Sequence, residues 1–330
     1  INNFISLIVN YKNKFSFYIL LISLFALSIY GLSNFRIDNY LTDEVNTNSR
    51  LYKEMSFFND NFGGIKPVTF KIPIEKNVNI KSLLNFEKFL QSNDFSLDFS
   101  LTSLVENPEF VNKSMLKKIT KDNYKIQTRM NDLGSKYSFA VFEKIKLKAK
   151  ELALDLKVGG AGYLFDQVGN QLTREILYGL LVAILTIGVL FVLINGFNLN
   201  YFFVALIPNV FPILVAIGIL CLTNFYFSLS NAFIFAIVFG LIVDDSIHIL
   251  SSYRFNISRG MDKELAISNS MNITARAVIK TTIVVIVSLL PLLLSEFKSV
   301  SQLSIITIVS AVIAIVFDLL YLPKLIKKFL

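Results

Sequence analysis

From Ile176 to Tyr253 the chain has no Lys, Arg or Glu, and the only groups there that charge near neutral pH are Asp244, Asp245 and His248. His248 is the sole histidine of the 330 residues, and Cys221 is the sole cysteine. One cysteine excludes an intrachain disulfide, and with one histidine it excludes a His/Cys metal cluster. No small-residue cleavage site follows the first apolar segment, where the chain reads NFRIDNYL, so that segment is read as an uncleaved helix. No Lys-Ser/Thr follows the glycines of GGAG (Gly159–Gly162), which makes them a turn rather than a phosphate loop. Nucleophile elbow and dinucleotide fingerprint are missing too, so neither an enzyme nor a bound cofactor or metal is expected.

What is present is mostly apolar. Hydrophobic residues are 54% of the chain and mean hydropathy is +0.58, outside the range of soluble globular proteins. A membrane helix needs about 20 mostly apolar residues to cross a hydrocarbon core of about 30 Å. Six segments qualify: 15–35, 176–195, 201–222, 232–253, 278–295 and 300–322. The net charge of +8 implies no nucleic acid, because many basic residues flank the apolar segments. Lys12 and Lys14, then Arg254, Arg259, Lys263 and Arg276, then Lys324, Lys327 and Lys328 all fall on one side if six helices alternate, and that side is expected to be cytoplasmic. The loops TNFYFSLSN and SEFKS fall on the other side. Residues 1–14 then form a cytoplasmic segment, and 254–276 a cytoplasmic loop expected as an amphipathic helix lying on the membrane surface. The chain begins at Ile1, which is read as a fragment or a processed product.

The polar block 36–173 is expected outside the cytoplasm. KPVTFKIPI and YKIQTRMNDL alternate as half-buried strands do. KSLLNFEKFLQS and YSFAVFEKIKLKAKELALD have apolar residues at helical spacing, and the strand LKVGG precedes a further helix from about Leu164. This predicts an α+β domain whose last helix runs through QLTREILYGLL into the second membrane helix, a stiff lever between the two parts. Phe57, Phe58, Phe62 and Tyr163 suit either a greasy path or a packed core. Gly63 and Gly64 read as a turn. The fold class is an α-helical membrane protein, six transmembrane helices with an α+β extracytoplasmic domain between helices 1 and 2.

Charges at mid-membrane cost a few kcal/mol each on insertion scales, so Asp244 and Asp245 with His248 read as a functional cluster that moves protons. At about 1.5 Å per residue, Asp245 lies about 14 Å from Arg254, near half the depth of the core. His248 is three residues from Asp245 and four from Asp244, within reach of both along the helix. Adjacent residues point about 100° apart, so one carboxyl is expected to face the bundle interior and the other a neighbouring helix or repeat. Ser288 and Ser310 lie at a similar depth and are candidates for polar support. Lys280 and Asp318 share a depth nearer the basic side and are candidates for an ion pair between helices 5 and 6; snorkelling of Lys280 is the alternative.

VFGLIVDDSIHILSSYR, with IPNVFPILVAIGIL before it and LLLSEF and FDLLYLPKL after it, resembles the resistance-nodulation-division (RND) superfamily, in particular its exporters and MMPL-type lipid transporters. FRIDNYL and FFNDNFGGIKPVTFKI are similar to the entrance of its first outer domain. The resemblance covers nearly the whole chain as one six-helix repeat, closer to the second of the two usual repeats. It implies proton-driven export of hydrophobic or amphiphilic, lipid-like molecules at a bacterial inner membrane, a second repeat as partner, and contact with membrane lipids. It places the proton role on Asp244 and Asp245, with His248 matching the exporter subgroup. Thr281 and Thr282 stand where relatives often carry Thr-Ser. Ser288 and Leu289, with Pro291 just beyond, replace a usual Gly-Phe pair, and Ala275 replaces a usual Gly. Two other readings remain open. One is a non-transporting, sterol-sensing-type lipid-binding module, against which two midplane carboxylates argue. The other is a Sec-translocon accessory-type subunit, whose Asp/Glu-Arg stretch is missing where this chain reads HILSSYRFN.

Overall fold

A computed structural model describes residues 14–74, 79–104, 123–222 and 226–330, with backbone alone for 14–18, 20, 21, 104 and 222. The expected cytoplasmic segment with Lys12, and Thr223–Phe225 of the loop TNFYFSLSN, lie outside the described residues. The chain divides into two compact units, residues 37–172 and residues 1–36 with 173–330.

The 37–172 unit is α+β. After helix α1 (Lys14–Leu32), which belongs to the other unit, come α2 (Arg50–Asn61), β1 (Lys66–Pro73), α3 (Ile80–Gln91), β2 (Phe95–Phe99), β3 (Asn123–Met130), α4 (Ser135–Glu151) and β4 (Lys157–Gly159). The strands form one antiparallel sheet in the order β2-β3-β1-β4, the split βαβ arrangement of ferredoxin-like domains. Alternation decides which face is buried. Val68, Phe70 and Ile72 of β1 and Tyr124 and Ile126 of β3 point inward, and Leu83, Phe86 and Leu90 of α3 and Phe142 and Ile145 of α4 close over them. Phe70 meets Phe95 edge-on at 5.4 Å between ring centres, and Phe142 meets Tyr163 at 4.8 Å. Tyr163 is thus core, whereas Phe57, Phe58 and Phe62 are about half exposed and touch one another.

Two buried polar clusters of this unit hold charged groups in pairs. Lys66 Nζ lies 2.6 Å from Asp132 Oδ1 and 2.8 Å from Asp166 Oδ1, with all three side chains at most 1% exposed. Burial outweighs Lys66 and raises the Asp166 carboxyl above the usual range. Gly162 allows this contact, since a Cβ there would stand 2.7 Å from Lys66 Cβ. GGAG is therefore a turn that lets a helix approach a strand. Glu87 accepts from the Leu101 and Thr102 backbone N–H groups, from the Thr102 hydroxyl and from the Tyr124 hydroxyl.

The other unit is a helical bundle. α5 (Ala161–Ile194) is continuous over 34 residues, its part from Thr173 belonging to this bundle, and is followed by α6 (Asn200–Leu222), α7 (Leu229–Ser258), α8 (Lys263–Leu289) and α9 (Lys298–Val316). Among the described residues five helices are long and apolar enough to cross a membrane, and Ile22–Leu32 of α1 is a shorter apolar stretch. The chain is a helical, multi-pass membrane protein. α1 lies on α6 through small residues: a Cβ at Gly31 would fall 2.0 Å from Gly218 O, and one at Gly218 2.5 Å from Ser28 Cα.

The ends of the later spans differ from expectation. Residues 254–276 do not form a separate surface helix. α7 continues to Ser258 and α8 starts at Lys263, with the turn between them made by Gly260 at φ +81° and capped by Asp262. The two helix ends hold each other by burying Tyr253, Ala266, Met271 and Ala275, and Asn256 Nδ2 donates to Ser270 Oγ at 2.9 Å. Beyond α8 the chain tightens to a 3-10 helix at Leu290–Leu294 around Pro291. Beyond α9 it widens into a π turn at Phe317–Tyr321 and resumes as α10 (Leu322–Phe329). Pro323 has no N–H to offer the preceding turn, which locates the widening there.

Candidate functional site

α7 presents the DDSIH residues in two directions. Asp245 is half-buried and lines a cavity of about 150 Å³ between α7, α8 and α9. Thr281 and Thr282 of α8 and Thr307 of α9 share that lining, with Val238, Val285 and Ala311 as apolar wall. Asp244 also borders the cavity, but its side chain is 69% exposed, and it lies 3.5 Å from His248 Nε2, itself 65% exposed. One carboxyl is thus directed among the helices, and the other sits with the imidazole on an open side.

Ser246, the next residue, is buried against the π turn. Its hydroxyl donates to Asp318 Oδ1 at 2.5 Å, and Asp318 is fully buried. Asp318 is thus bonded to the residue that directly follows Asp245. Sequence reasoning missed this Ser246–Asp318 contact, although the position of Ser246 beside the acidic pair was a usable signal. It also missed Thr307, whose hydroxyl, like Ser310 Oγ and Asp318 Oδ2, is buried without a hydrogen-bond partner among the described residues.

The expected Lys280–Asp318 ion pair does not form. Lys280 is exposed, and Asp318 turns inward to Ser246. Equal depth did not mean contact, because Lys280 stays exposed while Asp318 is fully buried. Ser288 is exposed, donates to Val285 O at 2.8 Å and does not line the cavity. Ser310 is buried one turn beyond Thr307 on α9. Thr282 is buried and donates to Val278 O at 2.8 Å; Thr281 bonds the same carbonyl at 2.9 Å and remains more open. Thus the structure gathers Asp244, Asp245, Thr281 and Thr282 at one cavity, keeps His248 beside Asp244, and leaves Lys280 and Ser288 apart.

Chemically, the arrangement offers a carboxyl among hydroxyls, a second buried carboxyl bonded one residue away, and a carboxylate–imidazole pair at the opening. Among the described residues no group of three or more His, Cys, Asp or Glu is placed to hold a metal ion. Proton exchange is the chemistry such groups support. No curated protein sequence matches the chain. The description "MMPL family" belongs to a family model that matches residues 100–327, well over half of the chain, and the chain belongs to that family.

Proposed function

We propose that this chain forms one repeat of a proton-coupled exporter of hydrophobic or amphiphilic, lipid-like molecules. The reading takes six transmembrane helices, with residues 36–173 outside the cytoplasm of a bacterial inner membrane, and a second repeat completing the path. The observation that carries it is the placing of Asp245 in a hydroxyl-lined cavity while its neighbour Ser246 holds the buried Asp318.

The mechanism follows from charge. With Asp245 and Asp318 both ionised, like charges repel across the α7 contact with the π turn; a proton on Asp245 removes that repulsion. Protonation thereby biases two packings of α7 against α8 and α9. Each proton crossing a 100 mV potential supplies about 2.3 kcal/mol, enough to shift such an equilibrium by more than tenfold. Thr281 and Thr282 support the carboxyl, and the Asp244–His248 pair delivers or accepts the proton at the open side. The source of energy is the proton gradient, with no bound cofactor.

The test is uptake of a fluorescent acyl-lipid analogue into vesicles holding the full natural protein, with and without an imposed pH gradient. Transport should need the gradient and be lost in Asp245→Asn. Gradient-independent lipid binding without transport, unchanged in Asp245→Asn, would favour the sterol-sensing-type module instead.

A further inference from the structure

A second hollow, of about 220 Å³, lies between α5 and α7 where α6 begins. It is separate from the acidic cavity: Arg254, at its polar end, is nine residues beyond Asp245 on α7, about 14 Å along the helix. Its polarity is graded in one direction on both walls. On α7 the lining passes from Ile247 and Leu250 to Ser251 and Arg254. Along α5 it passes from Ile187 and Leu190 to Asn195, the first residue after the helix. Tyr201, in the first turn of α6, closes the polar end. From Ile187 to Asn195 and from Ile247 to Arg254 the whole lining runs about 10–12 Å at 1.5 Å per residue.

Arg254 is exposed and forms no ion pair among the described residues. It shares the lining of the hollow with the Tyr201 phenol. Two nearby basic residues are otherwise engaged: Arg259 stacks on Phe255 at 4.2 Å, and Lys327 pairs with Glu264 at 2.5 Å. A greasy channel ending at an unneutralised guanidinium and a phenol is complementary to one kind of molecule, an amphiphile with an anionic head. A free anion would leave the apolar walls uncovered, and an apolar partner helix would bury the guanidinium without a counter-charge. The membrane span of α5 is mostly exposed, so the hollow opens to lipid.

We propose that this hollow holds an anionic phospholipid, its phosphate on Arg254 and the Tyr201 hydroxyl and one acyl chain along Leu190 and Ile247. This is a resident lipid bridging α5 to α7, and it does not depend on the transport reading. Guanidinium donors and a lipid phosphate form the stronger, charge-assisted class of hydrogen bond.

Native mass spectrometry of the full natural protein, delipidated and titrated with phosphatidylglycerol or phosphatidylcholine, tests this. Phosphatidylglycerol should bind about tenfold more tightly than phosphatidylcholine, and Arg254→Gln should remove most of that preference. Arg259→Gln should leave it intact. Leu190→Trp, which fills the apolar part, should weaken both lipids without lowering the melting temperature. The proposal is overturned by any of four results: equal retention in Arg254→Gln, an equal fall in Arg259→Gln (general surface attraction), displacement of the lipid by glycerol phosphate (a phosphate site alone), or a Leu190 cross-link to a second copy that excludes lipid.

Discussion

Ser246 and Asp318, 72 positions apart, are joined by a hydroxyl-to-carboxylate bond of 2.5 Å that ties the DDSIH helix to the π turn ending the last span. Asp318 is fully buried, so a lost donor there cannot be replaced by bulk water. Ser246→Ala would leave Asp318 Oδ1 without its donor, at a cost of about 1–3 kcal/mol. The expected result is a lower melting temperature of the protein in detergent, with Asp318→Asn milder than Asp318→Ala because the amide can still accept from Ser246. Equal melting of Ser246→Ala and the natural protein would show that the bond holds nothing.

Gly31 and Gly218 bring α1 and α6 to backbone contact. A methyl group at either position meets backbone rather than a flexible side chain, so the helices must separate. Gly218→Ala should cost about 1–3 kcal/mol, and Gly31→Val should release α1 to proteolysis. Gly179, beside which a Cβ would meet nothing within 4 Å, is the control; Gly179→Ala should be silent.

Lys66 is buried between Asp132 and Asp166. Lys66→Met strands two buried carboxylates and should destabilise the 37–172 unit by about 3–5 kcal/mol. The triple change Lys66→Met, Asp132→Asn, Asp166→Asn should recover a large part of this loss. Calorimetry of the single and triple variants separates a charge effect from simple loss of packing.

Tyr124 gives a pH signature. Burial first, and then the adjacent Glu87 carboxylate, push its phenol above the ordinary value. A group whose folded value is raised contributes stability that is complete below its unfolded value, about 10 for tyrosine, and is lost as pH rises from there toward the folded value. Between pH 10 and 11 the natural protein should therefore lose stability more steeply than Tyr124→Phe, by up to about 1.4 kcal/mol per pH unit. Parallel pH dependence of the two unfolding midpoints would contradict this.

Much of this structure was legible in the sequence where side-chain pattern and burial coincide. The alternation of KPVTFKIPI is the burial of β1, and the charge-free run with its acidic pair marks α7 and the cavity. β2 was not legible, because FSLDF buries only Phe95 fully and so has no clear period. The helix Arg50–Asn61 has no fully buried residue and leaves its aromatic side chains outside, so its spacing pointed to no core. At the site, one-dimensional depth paired Lys280 with Asp318, whereas rotation about α8 and the local widening at Phe317–Tyr321 pair Asp318 with Ser246. Such a contact depends on helix facing and on a turn of unusual pitch, which residue counting does not reveal.

Proton exchange at Asp245 within its cavity is the step on which the proposed transport rests. Carbodiimide labels protonated carboxyls in apolar surroundings, and labelling of the full natural protein in nanodiscs across pH, read by mass spectrometry, needs no knowledge of the substrate. Reaction at Asp245 that is strong at low pH and disappears as pH rises, and that is absent in Asp245→Asn, is the predicted result. An Asp245 that stays unlabelled at every pH while other carboxyls of the same helices react would contradict the account.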